Sequence, residues 1–262
     1  MATVKKSPAK KSTAAASSKT KNANANAQPY FNEAALKFLR GLKKNNDREW
    51  FNARKQIFEG ELKEPMLAVI RKVTDAMLDF APAHVRPAEK SLFRIYRDTR
   101  FSNDKRPYKT HIAAWWVHTG MEKTSGAGFY LAVDPTEVVI AGGAYMPQKE
   151  QLAAIRHWLL DHHAQLRKLM TQPAIKKHFT IFEGEALTRP PKGFPAEHDG
   201  MDLIRCRQWG LRTSLPAAEA LKPGFAALVT RHFEMLAPFV EALNTPLLAA
   251  AKPKKPLLFG LK

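Results

Sequence analysis

The spacing of apolar residues changes twice along this chain, and that change limits the fold more than any other feature of the sequence. Near the start it is helical: Ala35, Phe38, Leu39 and Leu42 fall on one side of a helix that Asn32 can cap. The Asn45-Asn46 pair ends it. Asp47 caps a second helix with Trp50, Phe51, Ile57 and Phe58 turned inward, and Pro65 suits the first turn of a third, where a missing N–H costs little. Met66, Val69, Ile70, Val73 and Met77 keep the helical period. From Phe93 the period becomes two. Phe93 and Ile95 alternate with Arg94 and Tyr96, and 111–118 reads as a further strand. Phe129, Leu131 and Val133 lead into Asp134-Pro135, from which 138–145 returns as a hairpin partner. Gly142 and Gly143 in that returning strand mark a bulge or a close backbone approach. Helical spacing then resumes from about Gln148 to Met170. A Pro- and Gly-rich loop over 188–200 leads to a strand around 203–213, and helices close the chain at about 216–221 and 223–243. Helices at both ends and strands in the middle predict an α+β fold. The expectation is a single domain with a central antiparallel or mixed sheet covered by N-terminal and C-terminal helices.

Charge narrows the partners. The 262 residues carry 42 Lys and Arg against 24 Asp and Glu, a net charge of +18. Residues 1–29 hold six lysines and no acid, and 251–262 hold four lysines and no acid, which leaves +8 on the middle. The first segment is built from Lys, Ala, Ser, Thr and Asn. It cannot bury enough apolar area to offset the entropy of ordering, so a disordered basic tail is expected over 1–29, a folded domain over 30–250 and a basic C-terminal tail over 251–262. A polycation attracts phosphate-rich partners by releasing their condensed counterions, although a basic surface that serves solubility alone explains the tail equally well. The single cysteine, Cys206, excludes an internal disulfide and a cysteine-based zinc site, and fits a reducing compartment. No apolar run is long enough to span a membrane and the N-terminus has no secretory apolar stretch, so cytoplasmic location and no membrane partner are expected. P-loop, dinucleotide and nucleophile-elbow motifs are absent.

The densest chemistry lies in 94–110, RIYRDTRFSNDKRPYKT. Arg94, Arg97, Arg100, Lys105, Arg106 and Lys109 are interleaved with Tyr96, Phe101 and Tyr108. Guanidinium forks, a lysine, hydroxyls and Ser102 converging on one hollow would form a pocket for a phosphate or carboxylate. Asp98 would orient an arginine, act as a base or hold a divalent metal. Alternatively, the same Arg and Asp residues form an internal ion-pair brace and the aromatics are core.

Four pieces of the sequence, NNDREWF (45–51) followed by Arg54, YRDTRFSNDKRPYKT (96–110), GGAYMP (142–147) before a helix with Arg156, and RPPKGF (189–194), resemble the DUF2461 family of conserved uncharacterised proteins over about residues 30–245. The resemblance implies one domain and no particular activity. A His-Pro pair expected near 197–202 is missing, so no role is assigned to His198. The matching positions are mostly polar: Asn45, Asn46, Arg48, Glu49, Arg54, Arg97, Asp98, Arg100, Asp104, Lys105, Lys109 and Arg156. If they meet, Glu49 and Asp98 become the candidate acid–base carboxylates. Asn45, Asn46 and Asp47 also read simply as turn and cap residues.

Three readings follow. One is a binding module for phosphate-bearing ligands, nucleic acid among them, through Arg54, Arg94, Tyr96, Arg97, Arg100, Ser102, Lys105, Tyr108, Lys109 and Arg156. Another is an enzyme on a small anionic substrate, with Asp98 or Glu49 moving a proton. The last is a structural or partner-binding protein with an internal brace. No cofactor, metal site or oligomeric state is indicated. His157 and Asp161 at helical spacing read as an exposed pair, His111 and His118 sit at opposite ends of one strand, and Cys206 reads as a small core residue. Trp115 and Trp116 point to opposite faces, so at least one is core.

Overall fold

A computed structural model describes residues 28–100, 102–121 and 126–251. Both basic tails lie outside these residues, apart from Gln28, Pro29 and Ala251. The chain begins with α1 (Glu33–Lys44), α2 (Arg48–Asn52) and α3 (Lys55–Ile57), which runs through a π-helical stretch (Phe58–Lys63) into α4 (Glu64–Met77). Asn32 and Asp47 cap the first two helices, their side chains accepting from Ala35 N at 3.2 Å and Trp50 N at 2.8 Å. A short turn (Pro82–His84) and α5 (Ala88–Ser91) precede β1 (Ile112–Val117), β2 (Gly128–Val133) and β3 (Glu137–Ala144). Then come α6 (Lys149–Met170), α7 (Pro173–His178), β4 (Ile181–Glu183), α8 (Met201–Ile204), β5 (Trp209–Pro216), a 3-10 turn (Ala217–Leu221) and α9 (Phe225–Ala250).

The five strands form one antiparallel sheet in the order β1-β2-β3-β5-β4. Alternation along each strand sends Ala114, Trp116, Phe129, Leu131, Val138 and Ile140 to one face, where all are sealed from solvent. On that face α9 packs over β2 and β3, and α4 packs against β1 and α9, with α6 docked behind α9. The fold is the α+β arrangement expected, with its core between one sheet face and the helices. No helix among the described residues is long and apolar enough to cross a membrane.

The structure departs from the expected elements where side chains or prolines redirect the backbone. Residues 93–97 do not join the sheet. Isolated bridges Leu92–Ala114 and Tyr96–Tyr108 replace a strand, and Arg97 N bonds Pro107 O while Lys109 N bonds Ile95 O. The segment pairs with its own return, and Pro107 brings no donor to a ladder. The strand expected at 203–213 begins only at Trp209. Leu203 and Ile204 are buried in α8, a single turn closed by bonds from Leu203 N and Ile204 N to Gly200 O at 3.0 and 2.9 Å. Pro65 lies in the first turn of α4, as expected, but the π-helical stretch before it joins α3 and α4 into one helical path. The proline ring and missing N–H disrupt the turn before it, which is where the wider π spacing occurs. The last helix continues through Pro238 and Pro246 to Ala250, longer than its sequence pattern indicated. The three-residue β4 has no counterpart among the expected elements.

Candidate functional site

The sheet face turned away from α4 and α9 carries a cavity of about 780 Å³. Its shape follows from strand register. One cross-strand row reads Trp115, Tyr130, Ala141, Arg212, and the next reads Gly128, Gly143, Gly210, Glu183. On the other side of the first row lie Ala113, Ala132 and Val139. Small residues therefore pave the middle of the sheet, and large ones stand on either side. The floor is kept low by necessity at two points. A Cβ on Gly143, whose φ is +140°, would lie 2.0 Å from Trp209 O, and one on Gly128 would lie 2.3 Å from Trp116 O. Strands spaced by about 4.8 Å put the Tyr130 and Arg212 backbones about 10 Å apart, with Ala141 between them.

The two walls differ in chemistry. On the β1–β2 side, the Phe93 and Trp115 rings lie 6.4 and 6.3 Å from that of Tyr130. Burial pushes the Tyr130 phenol up to about 12, so its hydroxyl stays protonated. On the β5–β4 side, Arg212 donates through Nη2 to Glu137 at 3.3 and 3.4 Å and to Ser214 Oγ at 3.1 Å, while Nη1 lies 3.6 Å from Glu183. The Arg212 Nε is buried without a partner among the described residues. Lys109, His111 and Asp134 line the end beside the β2–β3 turn, with Tyr145 and Met146 at the other end. Burial lowers the His111 pKa, which leaves the ring neutral at pH 7. The volume lies within the range of about 300–1,000 Å³ typical of small-molecule sites, and an apolar floor with a few fixed polar groups is their usual composition.

The basic loop 94–109 stands at the rim of this trough. Of the residues assigned to binding from the sequence, Lys109 lines the trough, and its Nζ donates to Arg94 O at 3.1 Å and lies 4.8 Å from the Phe93 ring centre. The others are spread around it or away from it. Arg97 pairs with Asp104, which also receives Arg106, and Ser102 Oγ accepts from Asp104 N at 3.2 Å. Arg100 grips Asp98 through two contacts of 3.0 and 2.7 Å, and that grip brings the carboxyl down to about 2. Lys105 Nζ donates to Thr99 O at 3.1 Å, and Arg94 is exposed. Half-exposed Tyr96 leans on Tyr108, which is buried and stacks on Phe51 with ring centroids 4.1 Å apart. Asn46 clasps Tyr108 in both directions, donating to its O at 2.9 Å and accepting from its N at 3.0 Å. Arg54 covers the Trp50 ring at 4.6 Å, and Glu49 is exposed on α2. Arg156 is buried in α6 and donates to Cys206 O at 3.0 Å. Arg54, Arg156, Asp98 and Glu49 thus do not share the trough with Lys109.

Sequence reasoning missed Arg212, Glu137, Glu183 and Tyr130. The usable signal was the second face of strands already recognised: Trp115 and Tyr130 alternate with core residues, opposite a strand whose outward positions are small. No group of three or more His, Cys, Asp or Glu among the described residues is placed to hold a metal.

Residues 34–241 match the family model described as conserved hypothetical protein (DUF2461). No curated protein and no solved structure gives a match. Because the matched region takes in most of the chain, including the basic loop and every strand of the sheet, this protein belongs to the DUF2461 family.

Proposed function

We propose that this chain is a binding module for phosphate-bearing ligands, and that the unit it holds is a nucleotide, free or at the end of a nucleic acid strand. A flat ring lies in the trough against Trp115, Tyr130 and Phe93, and the phosphate turns toward Lys109 and the basic loop. The observation that carries this reading is Lys109. It belongs at once to the trough lining and to a loop of six cationic side chains and two carboxylates, a net of +4. A ring-binding surface and an anion-attracting surface therefore meet at one residue. Aromatic side chains stack on nucleobases whatever their sequence, each worth about 1–3 kcal/mol, and clustered cations add a salt-dependent attraction. In this reading Asp98 and Asp104 shape the loop through their arginines, and neither is asked to move a proton.

The test is calorimetric titration of the full chain with adenosine monophosphate, adenosine and a short single-stranded oligonucleotide at several salt concentrations. Saturable binding of the monophosphate, weaker for the nucleoside and reduced about tenfold or more in Trp115→Ala, is the expected result. A monophosphate that binds no better than the nucleoside, or a Trp115→Ala chain that binds as tightly as the original, contradicts it. The oligonucleotide separates the two sources: affinity that rises with length marks a strand, and constant affinity marks the free nucleotide.

A further inference from the structure

We infer that the charged wall of the trough reads the base edge and favours guanine, a deepening that rests on the nucleotide reading above. The wall alternates hydrogen-bond character along a short line. Arg212 presents N–H groups between the Glu183 and Glu137 carboxylates, with side chains that are 28%, 28% and 39% exposed respectively and face the cavity. The contacts of the two Arg212 Nη groups with the carboxylates are long for charge-assisted bonds, 3.3 to 3.6 Å against about 2.7–2.9 Å for a well-made pair. Arg212 is therefore held in place but keeps donor capacity. Both carboxylates keep free lone pairs.

The charge of the lining also decides which part of a nucleotide goes where. Lys109 and Arg212 are offset by Asp134, Glu137 and Glu183, and His111 is neutral, so the trough itself does not attract a phosphate. Its charged wall suits a neutral group that both donates and accepts. Guanine supplies such an edge: O6 accepts, and N1–H and the N2 amino group donate side by side. An arginine N–H beside a carboxylate meets all three, O6 on the guanidinium and the two donors on the two carboxylate oxygens. Adenine offers one donor and one acceptor there, and uracil a single donor between two acceptors. Cytosine meets the wall in the reverse order, its amino group on a carboxylate and its two acceptors on the arginine, which makes it the runner-up. The width between Tyr130 and Arg212, spanned by Ala141 alone, leaves room for the larger ring.

The experiment is a competition series on the full chain with the monophosphates of guanosine, inosine, adenosine, cytidine and uridine. Guanosine monophosphate should bind about 10- to 100-fold more tightly than the adenosine and uridine forms, with inosine monophosphate, which lacks the N2 amino group, in between. Glu183→Gln, at the exposed sheet edge, should erase most of the guanosine-over-inosine difference, and Arg212→Gln should bring guanosine to within about threefold of adenosine. Melting temperature is followed in both variants. If either variant fails to fold, the guanosine-to-inosine ratio on the unaltered chain decides. Equal affinity for all five, or preference for adenosine or uridine, overturns the guanine inference and leaves the nucleotide reading standing. Absence of binding by any of the five overturns both.

Discussion

His84 shows how a single side chain ties the sheet to the last helix. Only 2% exposed, its Nδ1 lies 3.1 Å from Trp116 O and its Nε2 3.4 Å from the amide of Asn244, which also bonds Ala127 in both directions. Burial lowers the His84 pKa to about 4 from an ordinary 6.5. As pH falls, the unfolded chain takes up the proton first. The stability that His84 confers is therefore complete above pH 6.5 and drains away toward pH 4, a loss of about 3 kcal/mol. Urea unfolding at pH 7 and pH 4 should show that decline, and His84→Gln should remove the larger part of it. An undiminished decline in the variant would contradict the assignment. Residue-scale chemistry was partly legible beforehand. Trp116 is core and Trp115 faces the trough, as alternation required, and Cys206 is a buried small residue, though it follows α8 and does not lie in a strand. His84 gave no signal, because its neighbours come from a strand and a helix far along the chain.

At the scale of elements, Asn46 explains why the NNDREWF piece and the 96–110 piece occur together. Asp47 caps α2, and Asn46 reaches across 62 residues to hold the backbone of Tyr108, the anchor of the basic loop. Without that amide, the part-buried N–H and C=O of Tyr108 have no substitute. Asn46→Ala should cost about 2 kcal/mol, seen as a lower urea midpoint with an unchanged slope. A midpoint identical to that of the original chain would remove Asn46 from the account. The turn-and-cap reading of this motif was correct for Asp47 and incomplete for Asn46, whose contact is tertiary. Helices and the central hairpin could be read from periodicity, because one buried face writes its period directly into the sequence. Residues 93–97 were misread as a strand of the sheet because their alternation reflects pairing of Tyr96 with Tyr108 on the segment's own return.

For the whole molecule, the lesson concerns which residues meet. The cations of the middle of the chain were expected in one hollow. Instead, Arg97, Arg100 and Arg106 are engaged by Asp98 and Asp104, Arg156 is buried on α6, and the hollow belongs to the uncovered sheet face. Its walls draw on all five strands, so no local stretch could announce it. What the sequence did carry was the small-residue strand that became the floor. Ala141 is the point where floor, aromatic wall and charged wall come together, and its side chain faces the trough and not the core. The most direct measurement is therefore nucleotide affinity and melting temperature of Ala141→Trp beside the original chain. An indole there obstructs the middle of the trough without touching the helical core, and we predict at least a tenfold loss of affinity for guanosine monophosphate at a melting temperature within about 2 °C. Full affinity with the trough obstructed would contradict the claim that this face is where the protein binds.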